Sequence, residues 1–413
     1  MKRKISLLLV MMLVLCTITN LAGAEETALV ETTSAELLAE NEPLMLSIED
    51  AVRMATENSR EMWKIDDALA QVKEARKDAK DAKNLAKMIS EMSLPELEAV
   101  FGPDFDVTSN QVERILAKND YYIIYADAQQ AQLEKSREVL LAGIEIEVKS
   151  LYYKVLLAEK TIEINKINLS SAEEQLRVVN LKFNNGSATK AEVLNAEMAV
   201  QKAKTDLDSA VDDYNIAELD LLNKLQLPFD TKLILTDKTL AYVPTEEINL
   251  TEAIEKAKAE RPETLAAQNN LKLQEIETHA YTAYYTPNLR QYKAAKEKLK
   301  DAELNVPQAY KDVELDVRKS YLNLIKAERA LINMEKTLEL AKEASRINQL
   351  LYDNGMATNL EVLEANAGLA QTEIGRYQLL VAYNINKLMF DKSNILGNSP
   401  TTPQTSESSG QEF

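Results

Sequence analysis

From Val193 onward, small and branched apolar residues recur three and four apart: Val193, Ala196, Val200, Ala203, Leu207, Ala210, Tyr214, Ala217 and Leu221. That spacing keeps one stripe of a helix against a neighbour, as in coiled-coil packing, and it predicts a helix reaching about Leu225. The same phase returns through Val362, Ala365, Leu369, Thr372, Arg376, Leu379, Tyr383 and Asn386, less apolar in its lower half. A second stripe of Ile374, Tyr377, Val381, Ile385 and Leu388 runs beside it. Two stripes on one helix predict neighbours on both sides, as in a sheet-like or tubular array. A further stretch from Tyr121 to Phe183 has only Gly143 as a weak breaker. About 60 residues at ~1.5 Å each make a continuous helix of ~90 Å. Ser47, with Asp50 three residues on, approximates a capping box and opens a helix running toward residue 90. Leu233–Leu235 is patterned as a short strand. The chain reads as mainly all-α: long antiparallel helical hairpins, with little or no β.

The pattern is duplicated. Phe183-Asn184-Asn185-Gly186-Ser187-Ala188-Thr189 matches Tyr352-Asp353-Asn354-Gly355-Met356-Ala357-Thr358 at an offset of 169. The match continues through Glu192-Val193-Leu194 with Glu361-Val362-Leu363, and Tyr214-Asn215-Ile216 with Tyr383-Asn384-Ile385. Upstream, Leu46-Ser47-Ile48-Glu49-Asp50-Ala51-Val52 resembles Ile248-Asn249-Leu250-Thr251-Glu252-Ala253-Ile254 at an offset of 202. The offsets differ by 33, so the first copy carries that many extra residues, near Met88 to Asp120. The expected organisation is a signal peptide over 1–24, a flexible segment over 25–43 and a first helical repeat over 44–227. A linker over 228–247, a second repeat over 248–392 and a disordered tail over 393–413 follow.

Composition agrees with long elements. Nine glycines in 413 residues are roughly a third of the average ~7% supply, so turns are few and Gly-rich phosphate loops are nearly excluded. One Cys excludes an intrachain disulfide and a thiolate zinc site, and one His excludes a multi-histidine metal centre. No cofactor is called for. A net charge of −18 argues against a nucleic-acid partner. Lys2, Arg3 and Lys4, the apolar run Ile5–Leu15 and Ala22-Gly23-Ala24 form a secretory signal. Cys16 lies inside it: a lipoprotein cysteine normally needs a small residue where Leu15 stands, and without lipidation Cys16 leaves with the signal. Losing three cations and no acid takes the net charge from −18 to −21.

The duplicated motifs, in their order, resemble the TolC family of outer-membrane efflux proteins over about residues 44–392. The resemblance rests on the two NGxAT loops with Glu192-Val193-Leu194-Asn195-Ala196 and Glu361-Val362-Leu363-Glu364-Ala365. It extends to the opening helix at Leu46–Val52 and to the linker Leu227-Pro228-Phe229-Asp230 with Leu235-Thr236-Asp237. It implies a homotrimer whose twelve helices form a hollow α-barrel. The loop residues Asn185, Gly186, Ser187, Ala188 and Thr189, with Asn354, Gly355, Met356, Ala357 and Thr358, would be hairpin tips docking a membrane-fusion adaptor protein, itself joined to an inner-membrane transporter. Glu361, Glu364 and Glu192 match acids that ring the pore entrance in the family. Tyr352 matches a position that helps hold it shut, although the usual basic partner position carries Ala357. One departure is marked. The family places two membrane strands in each repeat, and such strands need ~9–11 alternating residues. In the second copy that window, Pro287 to Pro307, holds Arg290, Lys293, Lys296, Glu297, Lys298, Lys300, Asp301 and Glu303 and reads as a charged helix or loop. In the first copy only Phe105–Thr108 is strand-like. The membrane β-barrel is therefore expected to be missing or drastically shortened.

Each candidate has a plainer reading. Gly186 and Gly355 are helix C-caps whatever the tips bind. Glu192 and Glu361 sit in first turns, where acids favour the helix dipole without any pore. His279 reads as a packing or surface residue and Trp63 as seam packing. The Lys/Asp run Lys73–Lys83 reads as a solvated face with i,i+4 pairs. Two functions are set against each other: an exit duct in the cell envelope (outer membrane or a periplasm-like space), and an exported coiled-coil scaffold with no lumen. No constellation for an enzyme is visible.

Overall fold

The computed structural model describes residues 43–102, 111–245 and 248–397. The signal sequence, the strand-like Phe105–Thr108 and the tail beyond Gly397 lie outside the described residues. Ten helices and two three-residue strands make up the described chain. Strand β1 (Leu44–Leu46) precedes α1 (Ile48–Glu57), α2 (Arg60–Glu91), α3 (Leu94–Phe101), α4 (Gln111–Lys118), α5 (Tyr121–Asn184) and α6 (Lys190–Leu225). Strand β2 (Leu233–Leu235) then leads to α7 (Leu250–Glu260), α8 (Pro262–Tyr284), α9 (Arg290–Asp353) and α10 (Asn359–Asp391). Helices α5 and α9 have 64 residues each. The chain forms two compact units: Ala70–Gln130 with Lys272–Leu299, and Pro43–Leu69 with Ala131–Leu271 and the chain from Lys300.

The second unit holds two cores that mirror the duplication. The first contains Ala51, Ala55, Ile144, Val148, Val155 and Leu221. The second contains Ala257, Val313, Val317, Leu324 and Phe390, with Ala253 packed against it. These pair at the sequence offsets of 169 and 202. The α6 stripe is buried as its spacing predicts: Val193, Ala196, Val200, Ala203, Ala210, Ala217 and Leu221.

The opening helix is broken in both repeats, a feature the hydrophobic spacing does not reveal. In the first, Asn58 and Ser59 separate α1 from α2; the Asn58 amide donates to the Leu225 carbonyl at 3.0 Å, and Gln226 donates to the Asn58 carbonyl at 3.0 Å. In the second, the break is Arg261, followed by Pro262, whose missing N–H suits a helix start. Arg261 is 1% exposed, donates to the Ser393 carbonyl at 2.8 Å and pairs with Asp316 at 3.1 Å. Each break is thus fastened to the end of its own repeat's last helix. Ser393 is buried and Gly397 lies against Arg261, Glu263 and Asp316, so the first residues of the expected tail pack against the second repeat.

Strands β1 and β2 pair in parallel, Leu44 with Leu233 through Leu46 with Leu235. Tyr152, fully buried, donates its hydroxyl to the Leu46 carbonyl at 3.0 Å and accepts from the Asp237 amide at 3.1 Å. Tyr383 serves the second repeat, donating to the Val243 carbonyl at 2.6 Å.

In the first unit, the window around Arg290 is the start of α9, and the helix continues through Pro307. The described part of the first copy's insertion forms α3 and α4. Among the described residues the only sheet is the β1–β2 pair. The Lys73–Lys83 run differs from expectation in its pairing. Arg76 reaches Asp127 on α5 and Lys83 reaches Asp120, in the turn just before α5, at 2.7 Å, because antiparallel helices bring long side chains together across the seam. In the other unit Asp66 meets Arg137 at 3.0 Å in the same register. Trp63 also departs from expectation. It is 67% exposed, because Met62, one residue and ~100° round the helix, takes the inward position.

Candidate functional site: the paired hairpin tips

The two tips lie in the second unit and are built alike. Helix α5 ends at Asn184, and Gly186 follows with φ +72°. The Ser187 amide donates to the Lys182 carbonyl at 2.7 Å and the Gly186 amide to Phe183 at 2.9 Å. In the second tip, Met356 donates to Leu351 at 2.8 Å and Gly355, at φ +73°, to Tyr352 at 3.0 Å. This pair of bonds closes a helix through one left-handed residue, which glycine adopts at least cost. Two residues on, Ala188 and Ala357 are half-buried, and the chain turns into the next helix.

Each following helix is opened by a reciprocal cap. The Thr189 amide and hydroxyl donate to Glu192 Oε2 at 2.6 and 2.9 Å, and the Glu192 amide donates back to Thr189 Oγ1 at 3.3 Å. Thr358 and Glu361 repeat the same three distances. The T-x-x-E spacing carries this signal in the sequence. These bonds, the backbone N–H first and the hydroxyl second, hold the Glu192 and Glu361 carboxyls below the usual glutamate range. Glu361 is exposed and Glu192 half-buried, and each is engaged by its own helix start.

Glu364 differs: it is exposed and takes no part in a cap. It lines a groove of about 770 Å3 between α5, α6 and α10, with Asn195, Met198 and Asn366. Across this groove Asn366 donates to Ser171 at 3.2 Å, joining the second repeat to the first, while Ser345 of α9 donates to Asn366 at 2.6 Å. The tips themselves are joined by a residue that sequence reasoning missed. Lys182 Nζ sits 3.7 Å from the centroid of the Tyr352 ring. Tyr352 therefore has a basic partner, supplied by the other repeat. The repeats also differ at the first helical residue: Asn359 is buried with its amide unpartnered, whereas the matching Lys190 is exposed.

The tip surfaces carry exposed apolar side chains. Met356 is 76% exposed, and Phe183, Leu194 and Leu360 are exposed beside the turns. Among the described residues no group of His, Cys, Asp and Glu can hold a metal ion, and no helix is long and apolar enough to cross a membrane.

Two tandem helical hairpins, each with a capped tip, define the TolC-like class of fold. No family model matches the chain, and no curated protein matches it. Solved structures do, across nearly their full length. CusC, described through its folding and transmembrane channel formation, aligns at TM-score 0.61 and 12% identity, covering 91% of this chain and 99% of its own. The outer-membrane protein VceC of Vibrio cholerae aligns at 0.56 and 14% identity, covering 85% and 97%. The MtrE outer-membrane channel of Neisseria gonorrhoeae aligns at 0.53 and 15% identity, covering 84% and 88%. The chain has the fold of these channel proteins.

Proposed function

We propose that the chain is an exit duct of the cell envelope, for efflux or protein secretion, working as a homotrimer without catalysis of its own. In this reading the Asn185–Thr189 and Asn354–Thr358 tips dock a membrane-fusion adaptor joined to an inner-membrane transporter. Glu364, with Glu361 and Glu192, contributes to an acidic entrance. The observation that carries it is the pair of identically capped tips on long hairpins, in a fold shared with outer-membrane channels. A second observation supports assembly. Leu315, Leu322, Ile332, Leu340 and Ile347 are exposed along α9 and have no neighbour in the single chain to cover them. Chemical crosslinking of the exported chain is expected to end at a trimer; a strict monomer or dimer overturns the reading.

The competing reading, an envelope scaffold without a lumen, is favoured by the helical window at Arg290–Glu303 where the resemblance leads one to expect a membrane strand. Conductance separates the two, since a solid scaffold passes no current for a substitution to change.

A further inference from the structure

The first unit ends in an unusual surface, one that the duct reading leaves without a role. The end of helix α8 brings Tyr281 and, just past it, Tyr285 to one end of this unit, where they meet Tyr121 and Tyr122 at the start of α5 and Val112 and Leu116 of α4. Tyr284 packs edge-on against Tyr285 at 4.8 Å yet stays 44% exposed. A tight turn follows, in which the Leu289 amide donates to the Thr286 carbonyl at 3.0 Å, and Leu289 is left 45% exposed. The next helix opens with Arg290, Lys293 and Lys296, all exposed and none paired with an acid among the described residues. From Tyr284 to Lys296 the chain has three cations and no acid, within a protein of net charge −18. The neighbouring helix pair adds to the same end. Helix α2 passes the start of α5 at the Lys83–Asp120 pair and runs on to α3, whose Leu94 is also exposed.

We infer that this end seats on an anionic phospholipid surface: Leu289, Tyr284 and Leu94 enter the headgroup layer, and Arg290, Lys293 and Lys296 meet the phosphates. Three arguments single out lipid. Tyrosine carries an apolar ring and a polar hydroxyl, which suits the headgroup level. Cations bordering exposed apolar side chains fit an interface, whereas a soluble polyanion needs the cations alone. The charge complements an acidic bilayer at a stretch where this acidic chain is locally basic. The contact is peripheral, since no described helix is long and apolar enough to span.

Vesicle flotation of the exported chain tests this. Phosphatidylglycerol–phosphatidylethanolamine vesicles are expected to carry the chain up the gradient, and pure phosphatidylcholine vesicles to leave it behind. The R290E/K293E/K296E variant is expected to bind on the order of a hundredfold more weakly, at roughly fivefold per cation. Leu289→Ser with Tyr284→Ser should lose several-fold, and the control K202E/K204E should bind as the parent does. Equal binding to both vesicle types, no binding to either, or parent-like binding by the triple variant overturns the inference. So does loss in the control, or displacement by soluble polyphosphate with no effect of the Leu289 and Tyr284 changes, which marks a polyanion site. Crosslinking of the triple variant keeps the two proposals separate: an unchanged trimer with lost flotation concerns this surface alone.

Discussion

At the scale of single residues, the glycines divide by backbone conformation. Gly355 sits at φ +73°, where a Cβ meets no neighbour but strains the backbone. Gly355→Ala is expected to cost about 1 kcal/mol in denaturant unfolding. Gly143 lies inside α5 with open space around it, so Gly143→Ala is expected to stabilise by up to about 1 kcal/mol in the same assay. The capping glutamates give a pH signature. The folded carboxyl of Glu361 lies below its ordinary value of 4.5, so its capping contribution is fully present above that value and is lost as pH falls through the folded value. A thermal-melting series between neutral and acid pH should therefore show a smaller acid-side decline in the E192Q/E361Q variant. These roles were legible in the sequence, because a glycine after a helix and a T-x-x-E pair are local signals. Lys182 was not legible. Its contact with Tyr352 joins residues 170 positions apart in different repeats, and no local spacing encodes it.

At the scale of elements, the long helices followed their apolar periodicity, and the two cores pair at the tandem offsets. What escaped were features shorter than a period. Strand β1 adjoins the start of the opening helix, whose pattern masks it, and it is specified by its partner in the linker. The breaks at Asn58–Ser59 and Arg261 are set by tertiary hydrogen bonds to the repeat ends. Trp63 shows the same limit from the other side: large and apolar, it sits one step off the stripe that its helix buries. Two substitutions probe these joints by equilibrium unfolding. Tyr152→Phe removes a donor from Leu46, whose carbonyl keeps Thr236, and an acceptor from the Asp237 amide, and should cost about 1–2 kcal/mol. Arg261→Ala strips a buried guanidinium from Asp316 and the Ser393 carbonyl and should cost about 3–5 kcal/mol, with Arg261→Met costing less because it refills the space.

At the scale of the whole molecule, the three acids proposed for an entrance separate by duty. Glu361 both caps a helix and carries charge, so Glu361→Gln should shift stability and conductance together. Glu364 caps nothing, so in planar-bilayer recordings Glu364→Gln should lower the preference for cations over anions while leaving the melting temperature unchanged. A fall in both quantities for Glu364→Gln would assign it a packing role instead. The β1–β2 clip has a consequence for the order of assembly. It joins Leu44 to Leu233, closing a loop that contains the whole first hairpin. A chain that emerges amino end first holds β1 without a partner until the linker has followed. The entropy of closing so long a loop is then met only when α1, α5 and α6 can pack at the same time. The first core, which includes Leu233 and Leu235, is thus completed only after the linker has followed the helices it closes over.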